Sequence, residues 1–160
     1  MENEKNNKDG VTELRRLYPA DLEPAEGVAI FCCDLIFRNT QQRFLKKNGF
    51  ERFVPISVPG GGGPLAEQLQ SFPSPEKHSL EAYLRLLLEE LGLKRVVFIG
   101  HSNCRWYKHN FPKEVNYESK IISDLRLMSE YIQKTFPGVK VEGLFYADRN
   151  EDQIRMKKIT

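Results

Sequence analysis

Val96-Val97-Phe98-Ile99-Gly100-His101-Ser102-Asn103-Cys104 is the stretch that decides the fold. It opens on a short, mostly β-branched apolar run, the pattern of a strand buried on both faces. The run stops at a glycine, and an imidazole and a thiol follow. An earlier stretch repeats the plan, with Val28-Ala29-Ile30-Phe31 running into Cys32-Cys33-Asp34. Both polar groups therefore sit where buried strands end, which is where open α/β sheets keep their active sites.

Ahead of the Val96 strand, Leu80, Tyr83, Leu84, Leu87, Leu88 and Leu91 recur at helical spacing, with Ser79 as the expected N-cap and Gly92 as the stop. Such a helix leading into a strand makes a β-α-β crossover with parallel strands. After it, Ile121, Leu125, Met128 and Ile132 mark the buried stripe of a helix over 117–136, ended by Pro137-Gly138. Shorter patterns predict a helix over 40–47 stopped by Gly49, and a strand over 53–58 whose Pro55 suits a sheet edge. A helix start is expected over 65–69, and a last strand over 139–146 precedes a charged tail. Alternating strands and helices of this kind predict an α/β protein, a central, mostly parallel β-sheet flanked by helices. Residues 1–10 read as a disordered polar tail and 12–17 as a short helix, with 11–160 forming a single α/β domain.

Composition excludes several functions. The formal charge of +2, from 24 Lys and Arg against 22 Asp and Glu, gives no basis for a nucleic-acid partner or an anionic membrane. No apolar run approaches the roughly 20 residues of a membrane span. MENEKNNKDG at the start is the opposite of a secretory signal, so a cytoplasmic location is expected. Three cysteines, two of them adjacent, fit thiols that stay free or bind metal rather than a disulfide framework. Gly60 to Gly63, between Pro59 and Pro64, reads as a flexible loop. It lacks the Gly-Lys-Ser/Thr ending of a phosphate-binding loop. His78 and His109 read as surface residues, and His109 serves as a proton shuttle only if it faces the site.

Cys32, Asp34, His101 and Cys104 together offer two thiolates, an imidazole and a carboxylate. On a strand, residues two apart share a face, so Cys32 and Asp34 converge while Cys33 points away into the core. His101 and Cys104 meet on one side of a tight turn, with Gly100 bending the chain off its strand. Zinc takes four ligands of these types in tetrahedral array, and three protein ligands with one open position activate water. With Asp34 off the metal the site is open; with Asp34 bound it is closed. Taken singly, each cysteine also reads as a buried small hydrophobe. Their placement at two strand ends favours the metal.

At these residues the chain resembles the β-class carbonic anhydrases, zinc enzymes marked by C-x-D-x-R at one strand end and H-x-x-C at another. Here the marks read Cys32-Cys33-Asp34-Leu35-Ile36 and His101-Ser102-Asn103-Cys104. The likeness continues in Ser79-Leu80-Glu81-Ala82-Tyr83, in Leu91-Gly92 and in Val141-Glu142-Gly143-Leu144-Phe145-Tyr146, and spans residues 27–159. It implies Zn2+ on Cys32, His101 and Cys104, and a homodimer with its sites near the interface. It also implies reversible hydration of carbon dioxide to bicarbonate, or hydration of a related small heterocumulene, by water activated on zinc.

The sequence departs from the family beside the metal ligands. The arginine two residues after the family's aspartate, which pairs with that aspartate and keeps it off zinc, is Ile36 here. Arg38 has the strand parity of Asp34 and is the candidate replacement, which makes Asp34 and Arg38 the candidate catalytic residues. The family's arginine-asparagine segment after its second strand is Val58-Pro59-Gly60-Gly61, and the glycine after its second zinc cysteine is Arg105. Two readings follow. One is a zinc lyase acting on carbon dioxide. The other is a zinc-binding, non-catalytic relative in a structural or interaction role, its site closed by two cysteines, a histidine and the aspartate.

Overall fold

The computed structural model describes residues 19–66 and 74–160. The expected tail over 1–10, the helix over 12–17 and the greater part of that over 65–69 lie outside the described residues. Among the described residues five strands form, β1 (Gly27–Cys32), β2 (Phe53–Val58), β3 (Arg95–His101), β4 (Lys140–Asn150) and β5 (Gln153–Ile159). They make one sheet in the order β2-β1-β3-β4-β5. β1 runs parallel to both β2 and β3, β3 runs parallel to β4, and β5 closes the sheet antiparallel to β4. The α/β class with a mostly parallel sheet is thus as expected. Every residue of β1 is buried, because a strand inside such a sheet is covered on both faces. β2 lies at the edge, where a proline is tolerated.

Among the described residues four α-helices pack on the sheet, α1 (Leu35–Lys47), α2 (Pro75–Leu84), α3 (Arg105–Asn110) and α4 (Tyr117–Thr135). The two-residue period of the strands divides the core. Val28, Ile30, Val96 and Phe98 pack with Leu80 and Leu84 of α2 and with Ile121, Leu125, Met128 and Ile132 of α4. Ala29, Phe31, Val97 and Ile99 face the other way, onto Phe37 and Leu45 of α1. The α4 stripe is the one read from the sequence. Each of its fully buried aliphatic side chains stabilises the fold by about 1.5–3 kcal/mol relative to exposure.

Several elements differ from expectation, each for a local reason. α1 starts at Leu35 rather than Thr40, because Asp34 caps it: Asp34 Oδ1 accepts a hydrogen bond from the Ile36 amide at 3.0 Å. The strand parity assumed for Arg38 therefore does not exist. Arg38 lies exposed on a helix, and among the described residues no ion pair joins it to Asp34. α2 begins a turn early, capped by Ser74, whose Oγ accepts from the Lys77 amide at 3.2 Å, with Pro75 in the first helical position. Past Leu84 it widens into a π-type turn over Arg85–Glu90, seen in the Leu91 amide bonding back to the Leu86 carbonyl at 2.9 Å.

The expected charged tail is strand β5, joined to β4 through Glu151, whose φ is 51°. It pairs because its residues alternate: Ile154 and Met156 pack beside Phe145, while Lys157 forms ion pairs with Glu118 and Asp148. The glycine run is not a flexible loop either. Gly60 to Gly63 are all buried, and the run leads into a 3₁₀ turn over Gly63–Ala66. A Cβ at Gly62 would stand 2.7 Å from Met128 Sδ and 2.8 Å from a carbon of the Phe98 ring, so the absent side chains are what allow the segment to enter the core.

Candidate metal centre

From β1 the chain passes to β2 on one side and returns through α2 to β3 on the other. The order reverses between β1 and β3, and a crevice opens at the carboxyl ends of two strands that diverge in this way. Cys32 is the last residue of β1 and His101 the last of β3. Cys104 is the N-cap of α3, reached through Asn103 at φ 56°, a left-handed conformation that asparagine tolerates. Gly100 does not make the bend expected of it. It stays in β3 opposite Tyr146, and a Cβ there would lie 2.7 Å from Ile121 Cγ2, so the glycine admits α4.

The fold brings Cys32, His101 and Cys104 together: their donor atoms all lie within 4.8 Å of one another, and all three residues are buried. The two sulfurs are 4.0 Å apart. Thiolates about 2.3 Å from a tetrahedral zinc stand about 3.8 Å apart, so little movement separates this spacing from a zinc site. His101 Nδ1 is hydrogen-bonded to the Ser102 carbonyl oxygen at 2.7 Å, whereas Nε2 is buried without a partner. A histidine held by a carbonyl through one nitrogen, with the other bare among thiols, is the arrangement of a metal ligand. Phe37 packs on the imidazole with ring centroids 4.2 Å apart, and Ser102 ties the turn to β4 through the Ala147 carbonyl and the Arg149 amide. These residues fit zinc.

The two thiols lie in unequal surroundings. Contact with Cys32, helped by the amides of Tyr107 and Trp106 at the start of α3, brings the Cys104 thiol down to about 7. The same contact and burial push Cys32 up to about 12. The helix amides thus favour the thiolate at Cys104, the form in which a cysteine binds metal.

Asp34 stands outside the Cys-His-Cys group. It lines, with Cys32, a cleft of about 410 Å³. Leu35 and Ile36 of α1, Pro59, and Arg105 and Trp106 of α3 complete the walls. Cys33, expected in the core, is exposed and lines the same cleft, because the chain leaves the strand at Cys32 and its alternation ends there. His78 and His109 are not drawn into the site, and neither lines the cleft. Arg105 and Trp106 are the wall residues that spacing arguments passed over. The available signal was Arg105, which directly follows Cys104 where the family that the sequence resembles has a glycine.

No family model matches the chain, and no curated protein matches it by sequence. Solved structures do. β-Carbonic anhydrase isoform I from the protozoan Trichomonas vaginalis superposes with a TM-score of 0.55 at 14% identity, over 90% of this chain and 87% of the other. A structure from work on two tetrameric β-carbonic anhydrases of the filamentous ascomycete Sordaria macrospora gives 0.51 at 13% identity, over 86% and 81% of the two chains. At such identities the likeness speaks of architecture, and it covers nearly all of the protein. This chain has the fold of the β-carbonic anhydrases.

Proposed function

We propose that this chain is a zinc protein of the carbonic anhydrase type that hydrates carbon dioxide reversibly to bicarbonate. The observation that carries the reading is the buried Cys32, His101 and Cys104 group, whose imidazole Nε2 has no partner among the described residues. Zinc held there supplies Lewis acidity, which brings the pKa of a water to about 7. Asp34 Oδ1 is taken up by the Ile36 amide, so the start of α1 does for this carboxylate what an arginine does in the family: it draws it away from the metal ligands. The remaining Asp34 oxygen is the acceptor we assign to a hydroxyl in the cleft. Arg38 has no part in this reading. Leu35, Ile36, Pro59 and Trp106 give the cleft apolar walls, which suit an apolar substrate.

Leu35 and Ile36 are 75% and 52% exposed, and Tyr83 and Leu86 form an apolar groove along the β2 edge. Both patches support a homodimer in which a second copy covers them. No helix among the described residues is long and apolar enough to cross a membrane. The free thiols of Cys32, Cys33 and Cys104 support a reducing, cytoplasmic setting.

The test is metal analysis and stopped-flow hydration of carbon dioxide on the purified chain. About one zinc per chain and turnover above the buffer rate are expected; metal-free protein or no turnover overturns the reading. A second reading, a non-catalytic protein with Asp34 as fourth zinc ligand, is favoured by Ile36, which puts no cation beside the carboxylate. Turnover separates the two.

A further inference from the structure

Arg105 occupies a place that stability does not account for. It is the first residue of α3, at the positive end of the helix, where a cation is electrostatically disfavoured. It is exposed, and among the described residues it takes part in no ion pair and no side-chain hydrogen bond. Yet it lines the cleft that holds Cys32, and it is the only cation among the described residues that line it. Asp34, the carboxylate among the described lining residues, spends an oxygen on the α1 cap.

We propose that Arg105 is the anion-binding residue of this cleft, holding a small planar oxyanion, the chemistry of bicarbonate, beside the metal ligands. Guanidinium offers paired N–H donors in one plane, which match the two oxygens of such an anion. The neighbouring walls, Trp106, Pro59, Leu35 and Ile36, carry no charge, so Arg105 is the cation that an anion entering the cleft meets among its described lining residues. Trp106 holds its place because it seats against the glycine run, where a Cβ at Gly63 would lie 2.7 Å from the indole. Arg105 follows Cys104 directly, so the ligand that anchors the start of α3 also fixes where the guanidinium stem begins. The inference rests on the proposed function for the identity of the anion, and the two are separable.

Trp106 is the only tryptophan of the chain, so intrinsic tryptophan fluorescence reports on this cleft alone. The zinc-loaded full chain is titrated with bicarbonate at pH 8 and constant ionic strength. A saturable change is expected for the wild type. Arg105→Gln weakens the apparent affinity about tenfold or more, and Arg105→Lys, which keeps the charge but not the fork, falls between. Arg105→Gln titrating within twofold of the wild type, or a wild type with no saturable response, overturns the proposal. Protein that binds bicarbonate through Arg105 yet hydrates no carbon dioxide overturns the enzymatic reading and leaves this one standing.

Discussion

Gly60 lies against Trp106 so closely that a Cβ on the glycine would come within 2.4 Å of the indole Cδ2. Gly60 is also in the left-handed region, at φ 75°. The glycine run and the tryptophan are thus one packing unit: the space that side chains would fill after β2 is filled from α3. This unit sets one wall of the cleft.

Gly60→Ala is expected to destabilise the protein by about 2–4 kcal/mol, overpacking adding to backbone strain. Gly49→Ala, at φ 80° with nothing within 4 Å of the built Cβ, carries the strain alone and is expected to lose about 1 kcal/mol. Urea unfolding of both variants measures the difference, and equal losses would remove the packing argument.

Metal removal should be visible in stability. Zinc at a thousand times its dissociation constant stabilises the folded state by about 4 kcal/mol. Chelation is expected to lower the melting temperature of the wild type, and His101→Ala, which deletes the bare Nε2, is expected to abolish both zinc uptake and the response to chelator. Calorimetry with and without chelator checks this.

Asp34 has separable duties. Asp34→Ala removes the α1 cap and is expected to lose about 1 kcal/mol, whereas Asp34→Asn keeps an accepting oxygen and most of that stability. If the carboxylate stands off the metal, both variants retain wild-type zinc affinity in a competition assay. A loss of tenfold or more would make Asp34 a ligand.

At the opposite end of β3, Glu142 is hydrogen-bonded to Arg95 at 2.9 Å and paired with Lys140 at 3.1 Å, and these cations hold its carboxyl below its ordinary 4.5. A carboxyl depressed in the folded state adds stability above its unfolded pKa and loses it as pH falls through the folded one. Glu142→Gln is therefore expected to be less stable than the wild type at pH 7, by up to about 1 kcal/mol, with the difference shrinking at an acid pH below the ordinary carboxyl range. Urea titrations at the two pH values measure it.

Glu142 also shows why the apolar residues over 139–146 do not alternate strictly. It is the extra residue of a bulge, where Val96 pairs with Val141 but Val97 pairs with Gly143, and the bulge turns it to Arg95. Such a residue has no signature in a single strand. β5 was missed similarly: Arg155, Lys157 and Lys158 look like a solvated tail until β4 supplies pairing partners and Glu118 and Asp148 supply charge.

The amino-acid sequence by itself determined what depends on local periodicity and residue chemistry. The apolar β-branched runs specified strands buried on both faces, the 3.6-residue stripe of Ile121, Leu125, Met128 and Ile132 specified α4, and the residues at the ends of two strands pointed to the Cys32, His101 and Cys104 cluster. Only the tertiary structure decided where the neighbouring chain goes. Whether Asp34 continues a strand or caps a helix turns on one hydrogen bond to the Ile36 amide, and that choice moves Arg38 off the strand and Cys33 into the cleft. Whether four glycines are slack or packed depends on Trp106, Phe98 and Met128, which lie tens of residues away along the chain. Contacts of that range carry no local period, so they exist only once the chain has closed on itself.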